Sequence, residues 1–387
     1  MKIVIAPDSF KGSLSARKVA DCIAAGLIKT DPALECCKIP LADGGEGTTH
    51  CVIGATGGRL LFRTVTGPLG EPVQAEFGIC ADNKTAVIEV ASASGLTLVP
   101  PDRRNPLLTT SGGTGELILA ALAEGCTKIV IGLGGSATND GGFGILKALG
   151  VRFLDQDGME LEDKTKNLAG LARVDLSGLD KRLANVQFTL ACDVDNPLCG
   201  PQGASAVYGP QKGADPEQVR ELDGLLSHYA DVLESAAGRR VRDIPGSGAA
   251  GGIAAGMLAV LNAEIVSGIE VVLKLMEVED LLAAGGIDLV ITGEGEINGQ
   301  SVRGKVPVGI ARLAKAYGVP VIALTGCIGP GAERVYEMGI EAIVSVAPGP
   351  ISLTESMSQA EVLLEETAAR VLRLLRVGRK LVKSRPL

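Results

Sequence analysis

Four apolar runs of β-type residues in this chain each end in a glycine-rich loop that carries acidic, amide or hydroxyl side chains. These runs precede the segments 6–13 (APDSFKGS), 41–48 (LADGGEGT), 132–142 (GLGGSATNDGG) and 293–305 (GEGEINGQSVRGK). Strands that end in loops and lead into helical patterns are typical of α/β proteins. Glycine lets backbone N–H groups approach phosphate oxygens, and carboxylates can bind Mg²⁺. We therefore expect the four loops to serve one shared ligand site.

Strand and helix patterns alternate most clearly at the two ends of the chain. KIVIA leads into the helical pattern LSARKVADCIAAGLIK and then into a short strand around CCKIP. Further strands are predicted at 287–292, 319–326 and 341–347, separated by helices, with a final helix from about Ser356. Five such strands can form one doubly wound parallel sheet. In the flavodoxin-like order, strand order reverses beside the first and third strands, which places PDSFKG and TGEGEINGQ at the ligand-binding edge.

The middle of the chain has a different pattern. Short alternating segments such as FRTVTGPLGEPVQAEFG and TAVIEVASASG indicate antiparallel strands, and helices with the strands KIVIGL and FTLACDV follow. A chain of 387 residues also exceeds what one core usually supports. The sequence therefore predicts a first domain formed by residues 1–60 and 270–387, and an inserted α/β domain at 61–269.

Composition excludes several classes of function. The net charge is −8 and no Lys/Arg stripe is present, which disfavours a nucleic-acid partner. Nine scattered cysteines without a C-x-x-C pair favour a reducing, cytoplasmic location. The apolar N-terminal stretch is too short for a signal peptide, and no run approaches the roughly 18 apolar residues of a membrane helix.

The first two loops carry candidate groups for metal, acid–base and anion chemistry. Asp8 offers a carboxylate, Ser9 a hydroxyl donor, and Lys11 an ammonium group for a carboxylate or phosphate. The alternative interpretation is a helix entry in which Ser13 or Ser15 caps the helix. Asp43 could bind metal or substrate, or could cap the helix that follows it.

The inserted region adds further candidates. Ser136, Asn139 and Asp140 lie between paired glycines, in a loop with more hydrogen-bonding side chains than a plain turn requires. Asp193 and Asp195 follow an apolar strand and could bind metal or cap a turn. Lys212, in GPQKG, is equally consistent with a mobile basic loop that closes on phosphates and with a solvated loop.

The loop before Lys305 matches two nucleotide motifs only in part. The segment 299–305 fits G-x-x-x-x-G-K, but Val306 stands where a P-loop requires Ser or Thr. Lys305 and Arg303 can still meet phosphates near the start of the next helix, where Pro307 suits a first-turn position. The G-x-G-x-x-G dinucleotide fingerprint is absent, which disfavours an oxidoreductase.

Six motifs together resemble the bacterial glycerate kinase family that includes the glycerate 2-kinases: PDSFKGSLSA, LADGGEGT, NPLLTTSGGTGELI, GGSATNDGG, CDVDNPLCGPQGASAVYGPQKGA and ITGEGEINGQSVRGKVPVGIA. They span residues 6–312. The resemblance implies a flavodoxin-like domain made from both chain ends and an inserted domain of restriction-endonuclease-like type. It also implies phosphorylation of D-glycerate by ATP with Mg²⁺, with 2-phosphoglycerate as the favoured product.

The chain departs from the family pattern at two places. After TGEG the family usually has Arg-Ile-Asp, whereas this chain has Glu296, an isoleucine and Asn298. Gly112 stands at the position of the tyrosine of TSYGTGE. Asn298 cannot act as a base and is a weaker metal ligand than aspartate.

Combined with the resemblance, these motifs predict a role for each candidate in phosphoryl transfer. Catalytic roles fall to Asp8, Lys11 and Asp193, with Asp8 or Asp193 as the group that orients or deprotonates the hydroxyl. Substrate contacts fall to Ser9, Asn139 and Asp140. Nucleotide contacts fall to Gly134, Gly135, Ser136, Gly293, Gly295 and Lys305. The Mg²⁺ ligands are Glu294 with Asp43 or Asp195.

Three alternatives remain open at this point. The product could be 3-phosphoglycerate, the protein could be a nicotinamide-dependent hydroxy-acid oxidoreductase, or it could bind MgATP without catalysis. The sequence leaves the oligomeric state, including a homo-oligomer, undecided.

Overall fold

The computed structural model describes residues 1–302 and 304–384. It contains two compact units, each described by itself below. Unit 1 comprises Met1–Asp43 and Ile269–Leu387, and unit 2 comprises Gly44–Gly268. Both are mixed α/β structures with parallel strands, so the predicted fold class is confirmed.

The strands, in chain order, are β1 Lys2–Ile5, β2 Glu35–Lys38, β3 Arg59–Thr66, β4 Pro72–Ile79, β5 Thr85–Glu89, β6 Lys128–Gly132, β7 Arg152–Leu154, β8 Arg173–Asp175, β9 Gln187–Ala191, β10 Ala263–Val266, β11 Leu289–Ile297, β12 Val321–Ile328 and β13 Ala342–Ser345. The α-helices are α1 Ala16–Thr30, α2 Thr48–Thr56, α3 Val90–Ser94, α4 Gly112–Ala123, α5 Phe143–Ala148, α6 Ala204–Tyr208, α7 Pro216–Ala237, α8 Ala249–Val260, α9 Gly268–Leu275, α10 Val278–Ala283, α11 Val306–Ala316, α12 Leu353–Ser358 and α13 Ala360–Ser384.

Unit 1 is built on a five-stranded parallel sheet with the order β2-β1-β11-β12-β13. This is the flavodoxin-like order that the sequence predicts. Ile3, Val4 and Ile5 are all fully buried, although neighbouring side chains of a strand point to opposite faces. Helices therefore cover both faces of the sheet, as in other parallel sheets.

Helices α1 and α13 pack against each other in the core of unit 1. Helix α1 begins as predicted, because the side chain of Ser15 accepts a hydrogen bond from the backbone N–H of Lys18. The final helical region differs from the prediction, since α12 ends at Ser358 before α13 begins. Among the described residues, no helix is both long enough and apolar enough to cross a bilayer.

Unit 2 contains a six-stranded sheet with the order β3-β4-β5-β6-β9-β10. The first three strands pair antiparallel, as their alternating sequence predicts, and the last four pair parallel. Strands β7 and β8 form a separate two-stranded antiparallel sheet. The restriction-endonuclease-like type of this inserted domain, which the family resemblance implies, stays a prediction.

The first boundary between the units lies at residues 43 and 44, earlier in the chain than the predicted boundary after residue 60. Helix α2 belongs to unit 2 because the carboxylate of Glu89, at the end of β5, accepts hydrogen bonds from the N–H groups of Thr49 (2.7 Å) and Gly47 (3.2 Å). A carboxylate at a helix N-terminus satisfies orphan donors and interacts favourably with the helix dipole. Glu89 lies 40 residues after Thr49, so the sequence around the boundary does not show this contact.

The glycine-rich segment after LVIT is not a loop throughout, which corrects the sequence prediction. Strand β11 continues to Ile297, and Glu294 and Glu296 pair with Thr325 and Cys327 of β12. The high content of glycine and charged residues in this segment predicts a loop. A neighbouring strand supplies its hydrogen-bond partners, which outweighs the low intrinsic preference of these residues for strands.

Candidate active site

Two buried carboxylates meet at the carboxyl end of the unit 1 sheet, beside the point where strand order reverses. Asp8 follows β1 and its backbone N–H donates to the carbonyl oxygen of Gly293 in β11 (2.8 Å). Glu294 is the next residue along β11, and both acidic residues are 5% exposed. The sheet thereby holds the backbone of both groups, at the edge where open α/β sheets bind ligands.

Burial makes the ionised form of Asp8 costly. The surrounding apolar structure and the negative charges of Asp43 and Glu294 raise the pKa of Asp8 to about 7. The N–H of Ser9, which donates to Oδ1 (2.6 Å), and the charge of Lys11 act in the opposite direction. Mutual repulsion among these acids indicates a place where a cation would be stabilised.

Lys11 lies beside this acidic group with a solvent-exposed side chain. Its Nζ is 3.8 Å from Oδ2 of Asp43, which follows β2. The charge of Asp43, together with those of Asp8 and Glu294, raises the pKa of Lys11. The ammonium group is therefore firmly charged and remains accessible to an anion.

Glu294 has a hydrogen-bond donor on each oxygen. Ser301 Oγ donates to Oε1 (2.7 Å) and Lys305 Nζ donates to Oε2 (3.0 Å). Burial raises the pKa of Glu294, while Lys305 and Ser301 act to lower it. The buried hydroxyl of Ser301 was not predicted from sequence, and its position seven residues after Glu294 in a Gly-Gln-Ser turn is the only available signal.

The departures from the family pattern at residues 296 and 298 form a matched pair. Asn298 Nδ2 donates to Glu296 Oε1 (3.0 Å), and Asn298 Oδ1 accepts from the N–H of Gln300 (2.9 Å). The N–H of Asn298 donates to Ser301 Oγ (3.2 Å). Asn298 therefore organises the turn that presents Ser301 to Glu294. Gly112 lies in unit 2, where a Cβ would lie 2.8 Å from Oδ2 of Asp163 and 3.2 Å from Oγ1 of Thr110.

Two of the predicted Mg²⁺ ligands, Asp43 and Glu294, lie in unit 1. Among residues 1–302 and 304–384, no group of three or more His, Cys, Asp or Glu side chains forms a ready-made metal site. Mg²⁺ at phosphoryl-transfer sites is usually held by one or two carboxylates together with substrate phosphates. Asp43 and Glu294, beside an Asp8 whose charge is already disfavoured, fit that arrangement.

In unit 2, the loop 134–142 is folded around the carboxylate of Asp140. This fully buried group accepts hydrogen bonds from the hydroxyl and N–H of Ser111 (2.7 and 3.0 Å) and from the N–H groups of Gly142 and Gly144 (3.0 and 3.2 Å). Both oxygens are engaged within the protein. This geometry favours a structural role for Asp140 over the predicted substrate contact.

Replacing Asp140 by asparagine is expected to lower the free energy of unfolding by about 2–4 kcal/mol, because an amide N–H₂ would face buried donors that now point at an acceptor. Urea unfolding of the purified variant measures this loss. Asp243→Asn, at an exposed position of the same unit, is the control and should change stability by less than about 0.5 kcal/mol. Equal stability of D140N and the wild type would contradict the structural role.

Lys212 is buried, which contradicts the interpretation of a solvated loop. Its side chain is 2% exposed, and Nζ donates to Ser136 Oγ (2.9 Å) and to the carbonyl oxygen of Thr138 (2.6 Å). Asn139 lies beside them, and its Nδ2 donates to Ser205 Oγ (2.9 Å). Burial lowers the pKa of Lys212 to about 7, with the charge of Asp140 acting in the opposite direction.

The two aspartates after β9 differ in environment. Asp193 Oδ1 accepts from Ser267 Oγ (2.7 Å) and from the N–H of Gly268 (3.0 Å), so it fixes the turn after β10. Asp195 is exposed. Their predicted catalytic and metal roles stay predictions, although turn capping, the alternative that the sequence left open, accounts for Asp193.

Close contacts or backbone conformation account for three of the predicted nucleotide-binding glycines, namely Gly293, Gly134 and Gly135. A Cβ at Gly293 would lie 2.2 Å from the carbonyl oxygen of Leu324, so β11 and β12 require glycine there. Gly295 faces the backbone of Phe10 and Lys11. A Cβ at Gly134 would lie 2.9 Å from the Cα of Gly45, and Gly135 has φ of +73°.

The other predicted site residues lie in both units, and some of them contact the acidic residues described above. Ser9 is half-buried beside Asp8, and Ser136 contacts Lys212. Lys305 contacts Glu294 at the start of α11. Arg303 lies outside the described residues. The structure thus brings Asp8, Lys11, Asp43, Glu294 and Lys305 together in unit 1, a set called the Asp8 cluster below.

Comparison with known proteins gives consistent matches. The model of the glycerate kinase family matches residues 3–376. The chain is 51% identical over 368 residues to the glycerate kinase of Bacillus subtilis (strain 168), which covers 95% of this chain and 96% of that protein. It is 50% identical over 360 residues to the glycerate 2-kinase of Escherichia coli (strain K12), which covers 93% and 94%.

A solved structure is similar over nearly the full length. It is the crystal structure of a protein provisionally named glycerate kinase 2 from Salmonella typhimurium LT2, with a TM-score of 0.86 and 46% sequence identity. The match covers 98% of this chain and 100% of that chain.

Proposed function

The chain belongs to the glycerate kinase family, and we propose that it transfers the γ-phosphoryl group of ATP to a hydroxyl of D-glycerate, giving 2-phosphoglycerate and ADP. The observation that carries this proposal is the Asp8 cluster. It combines acids that repel one another with two lysines at the ligand-binding edge of a doubly wound sheet. Phosphoryl transfer requires mainly positioning and charge stabilisation, and these groups can supply both.

Asp8 is assigned as the group that orients the substrate hydroxyl and accepts its proton. One oxygen of its carboxylate accepts a hydrogen bond from the N–H of Ser9. The backbone of Asp8 is held by the hydrogen bond that its own N–H donates to Gly293. Asp193, the other candidate, already accepts two hydrogen bonds that fix a turn. The proton therefore moves from the glycerate hydroxyl to Asp8 as the oxygen attacks phosphorus.

Asp43 and Glu294 are assigned as the carboxylates that would hold Mg²⁺. When bound, this ion neutralises negative charge on the transferring phosphates. Ser301 and Lys305 fix the orientation of Glu294 through a hydrogen bond on each oxygen. Removal of Ser301 would therefore leave the carboxylate less well oriented.

The two lysines are assigned to anionic groups of the substrates. Lys11 is exposed and firmly charged, so it can contact the γ-phosphate or the glycerate carboxylate. Lys305 lies at the N-cap of α11, where the helix dipole also favours negative charge. In the other unit, Asn139 is retained as a candidate substrate contact.

The choice of 2-phosphoglycerate is supported by the similarity to the Escherichia coli protein named glycerate 2-kinase. Incubation of the purified protein with ATP, MgCl₂ and D-glycerate, followed by ³¹P NMR, tests both the reaction and its regiochemistry. We expect ADP and the 2-phospho product, with no product when D-glycerate is omitted. A 3-phospho signal would overturn the regiochemistry, and ADP release without a phosphoglycerate would overturn the proposed reaction.

A further inference from the structure

Lys212 combines a buried ammonium group with hydrogen-bond partners that carry no charge. Its Nζ donates to the Ser136 hydroxyl and to the Thr138 carbonyl oxygen. No ion pair joins it to a carboxylate of the described part of the chain. Asp140 acts on it only through space, because the oxygens of that carboxylate accept from Ser111 and from backbone N–H groups. A buried cation without a counter-charge is costly.

Two side chains of the same loop keep polar atoms without a partner. Thr138 Oγ1 and Asn139 Oδ1 make no hydrogen bond within the described residues, and both side chains are 0% exposed. Buried polar atoms in folded proteins almost always have a partner. In the part of the chain that the structure describes, two consecutive residues thus have buried polar atoms without a hydrogen-bond partner, next to an ammonium group without an ion-pair partner. This arrangement indicates that a ligand supplies the missing hydrogen bonds and the negative charge.

The residue after Lys212 packs against the backbone of a basic residue, Arg104. Gly213 follows Lys212 and packs so closely on Arg104 that a Cβ would lie 2.4 Å from the Arg104 carbonyl oxygen. Arg104 Nε is also buried without a hydrogen-bond partner among the described residues. Among the described residues, the charge that acts on the pKa of Lys212 is that of Asp140, whose oxygens are both engaged in hydrogen bonds.

We propose that Lys212, Thr138 and Asn139 form a binding site for a small oxyanion, either a carboxylate or a phosphoryl group. The ammonium group supplies the opposite charge and the Thr138 hydroxyl donates to the anion. Asn139 Oδ1 accepts from a hydroxyl of the ligand, so a hydroxy carboxylate satisfies all three groups. The choice of D-glycerate and ATP as carriers of the oxyanion rests on the proposed function, whereas the requirement for an anion does not.

Entry of the anion requires a local movement. Lys212 belongs to a single turn of 3₁₀-helix, Pro210–Lys212, that lies between Gly209 and Gly213. Because the side chain is almost fully covered, the ligand reaches the ammonium group when this turn moves aside.

Proton uptake provides a specific signature of this site. Burial lowers the pKa of Lys212 to about 7, so most of the amine is neutral at pH 8. An anion beside the amine favours its charged form and raises this pKa again. Binding at pH 8 should therefore take up as much as one proton. Calorimetric titration in two buffers of different ionisation enthalpy measures this uptake, with D-glycerate alone and, separately, with ATP in the presence of EDTA.

Variants assign the proton to Lys212. Lys212→Met should abolish the uptake and weaken binding by about 10- to 100-fold, the usual contribution of a charged hydrogen bond. Lys212→Arg keeps the charge but cannot titrate, so it should bind within a few-fold of wild type without taking up a proton. Lys84→Met, at an exposed lysine of the same unit, is the matched control and should behave as wild type.

Each outcome decides the proposal. Uptake that depends on Lys212 with D-glycerate assigns the site to a carboxylate, and the same result with ATP assigns it to a phosphoryl group. If neither ligand is bound with proton uptake, or if uptake is unchanged in both Lys212 variants, the site is refuted. Turnover of D-glycerate by the wild type is measured in parallel. Turnover without uptake refutes this site alone, and uptake without turnover refutes the proposed function alone.

Discussion

Replacing Asp8 by asparagine is expected to lower kcat by about 10²–10⁴-fold, the usual contribution of a positioned acid–base group. The same change should stabilise the metal-free protein at pH 8. Asparagine keeps the size of the side chain and can still accept a hydrogen bond from Ser9, but it cannot take the proton of a hydroxyl and carries no charge. Steady-state kinetics and thermal unfolding in EDTA measure the two effects.

The sign of the stability effect follows from the raised pKa of Asp8. The ordinary value is 3.8 and the folded value is about 7, so the folded protein binds more protons between these two pH values. The stability that the protonated form contributes is complete below pH 4 and is lost as the pH rises through 7. D8N should therefore gain melting temperature over wild type at pH 8 and not at pH 4.

Two controls separate this prediction from a general effect. Asp102→Asn changes an exposed acid and should leave kcat and the pH dependence of unfolding unchanged. Asp8→Glu retains a carboxylate and should recover part of the rate. If D8N turned over D-glycerate at the wild-type rate, Asp8 would not be the proton acceptor.

Replacing Lys11 by alanine is expected to slow kcat by about 10²–10³-fold, as is typical for loss of one preorganised charge at a developing negative charge. The side chain of Lys11 is 76% exposed, so its removal should leave the melting temperature almost unchanged. Stopped assays of ADP formation measure the rate. A normal fold with a large loss of rate would distinguish function from stability.

Lys29→Ala is the matched control, because Lys29 is also an exposed lysine of unit 1 but lies at the last turn of α1. It should retain wild-type kcat and KM. Near-normal kcat and KM in K11A would remove this residue from the site and leave Lys305 as the cation of the Asp8 cluster.

The fold of unit 1 could be predicted from sequence because its signals are local. Apolar runs, helical periodicity and the Ser15 cap each depend on neighbouring residues, and the order of five parallel strands follows from a common topology. The family identification was also correct, because it rests on motifs spread over residues 6–312.

The features that sequence did not predict all depend on distant partners. Helix α2 joins unit 2 because Glu89 caps it, and the acidic segment after LVIT is strand because β12 lies beside it. The segment GPQKG predicts either a mobile or a solvated loop at Lys212, whereas the side chain is buried. Its environment is set instead by Ser136 and Thr138, which lie more than 70 residues earlier in the chain.

The candidate site could be predicted only in part, because some of its residues are placed by local strands and others by contacts that the sequence does not show. Asp8 and Glu294 each follow an apolar run, so their position at the sheet edge could be inferred from the strands. Ser301 could not be inferred, because its role depends on the turn that Asn298 organises. Asp140 was recognised as important, but its contacts with Ser111 and backbone N–H groups indicate that it holds the loop.

The continuation of β11 to Ile297 affects the thermodynamics of ligand binding. The main chain that carries Glu294 is ordered when the sheet forms, and the hydrogen bond from Asp8 to Gly293 orders the adjacent backbone with it. The loss of conformational entropy at these residues, roughly 1–2 kcal/mol each for the backbone, therefore occurs during folding. Nucleotide binding should then show a smaller entropic penalty than binding to a loop that becomes ordered around its ligand.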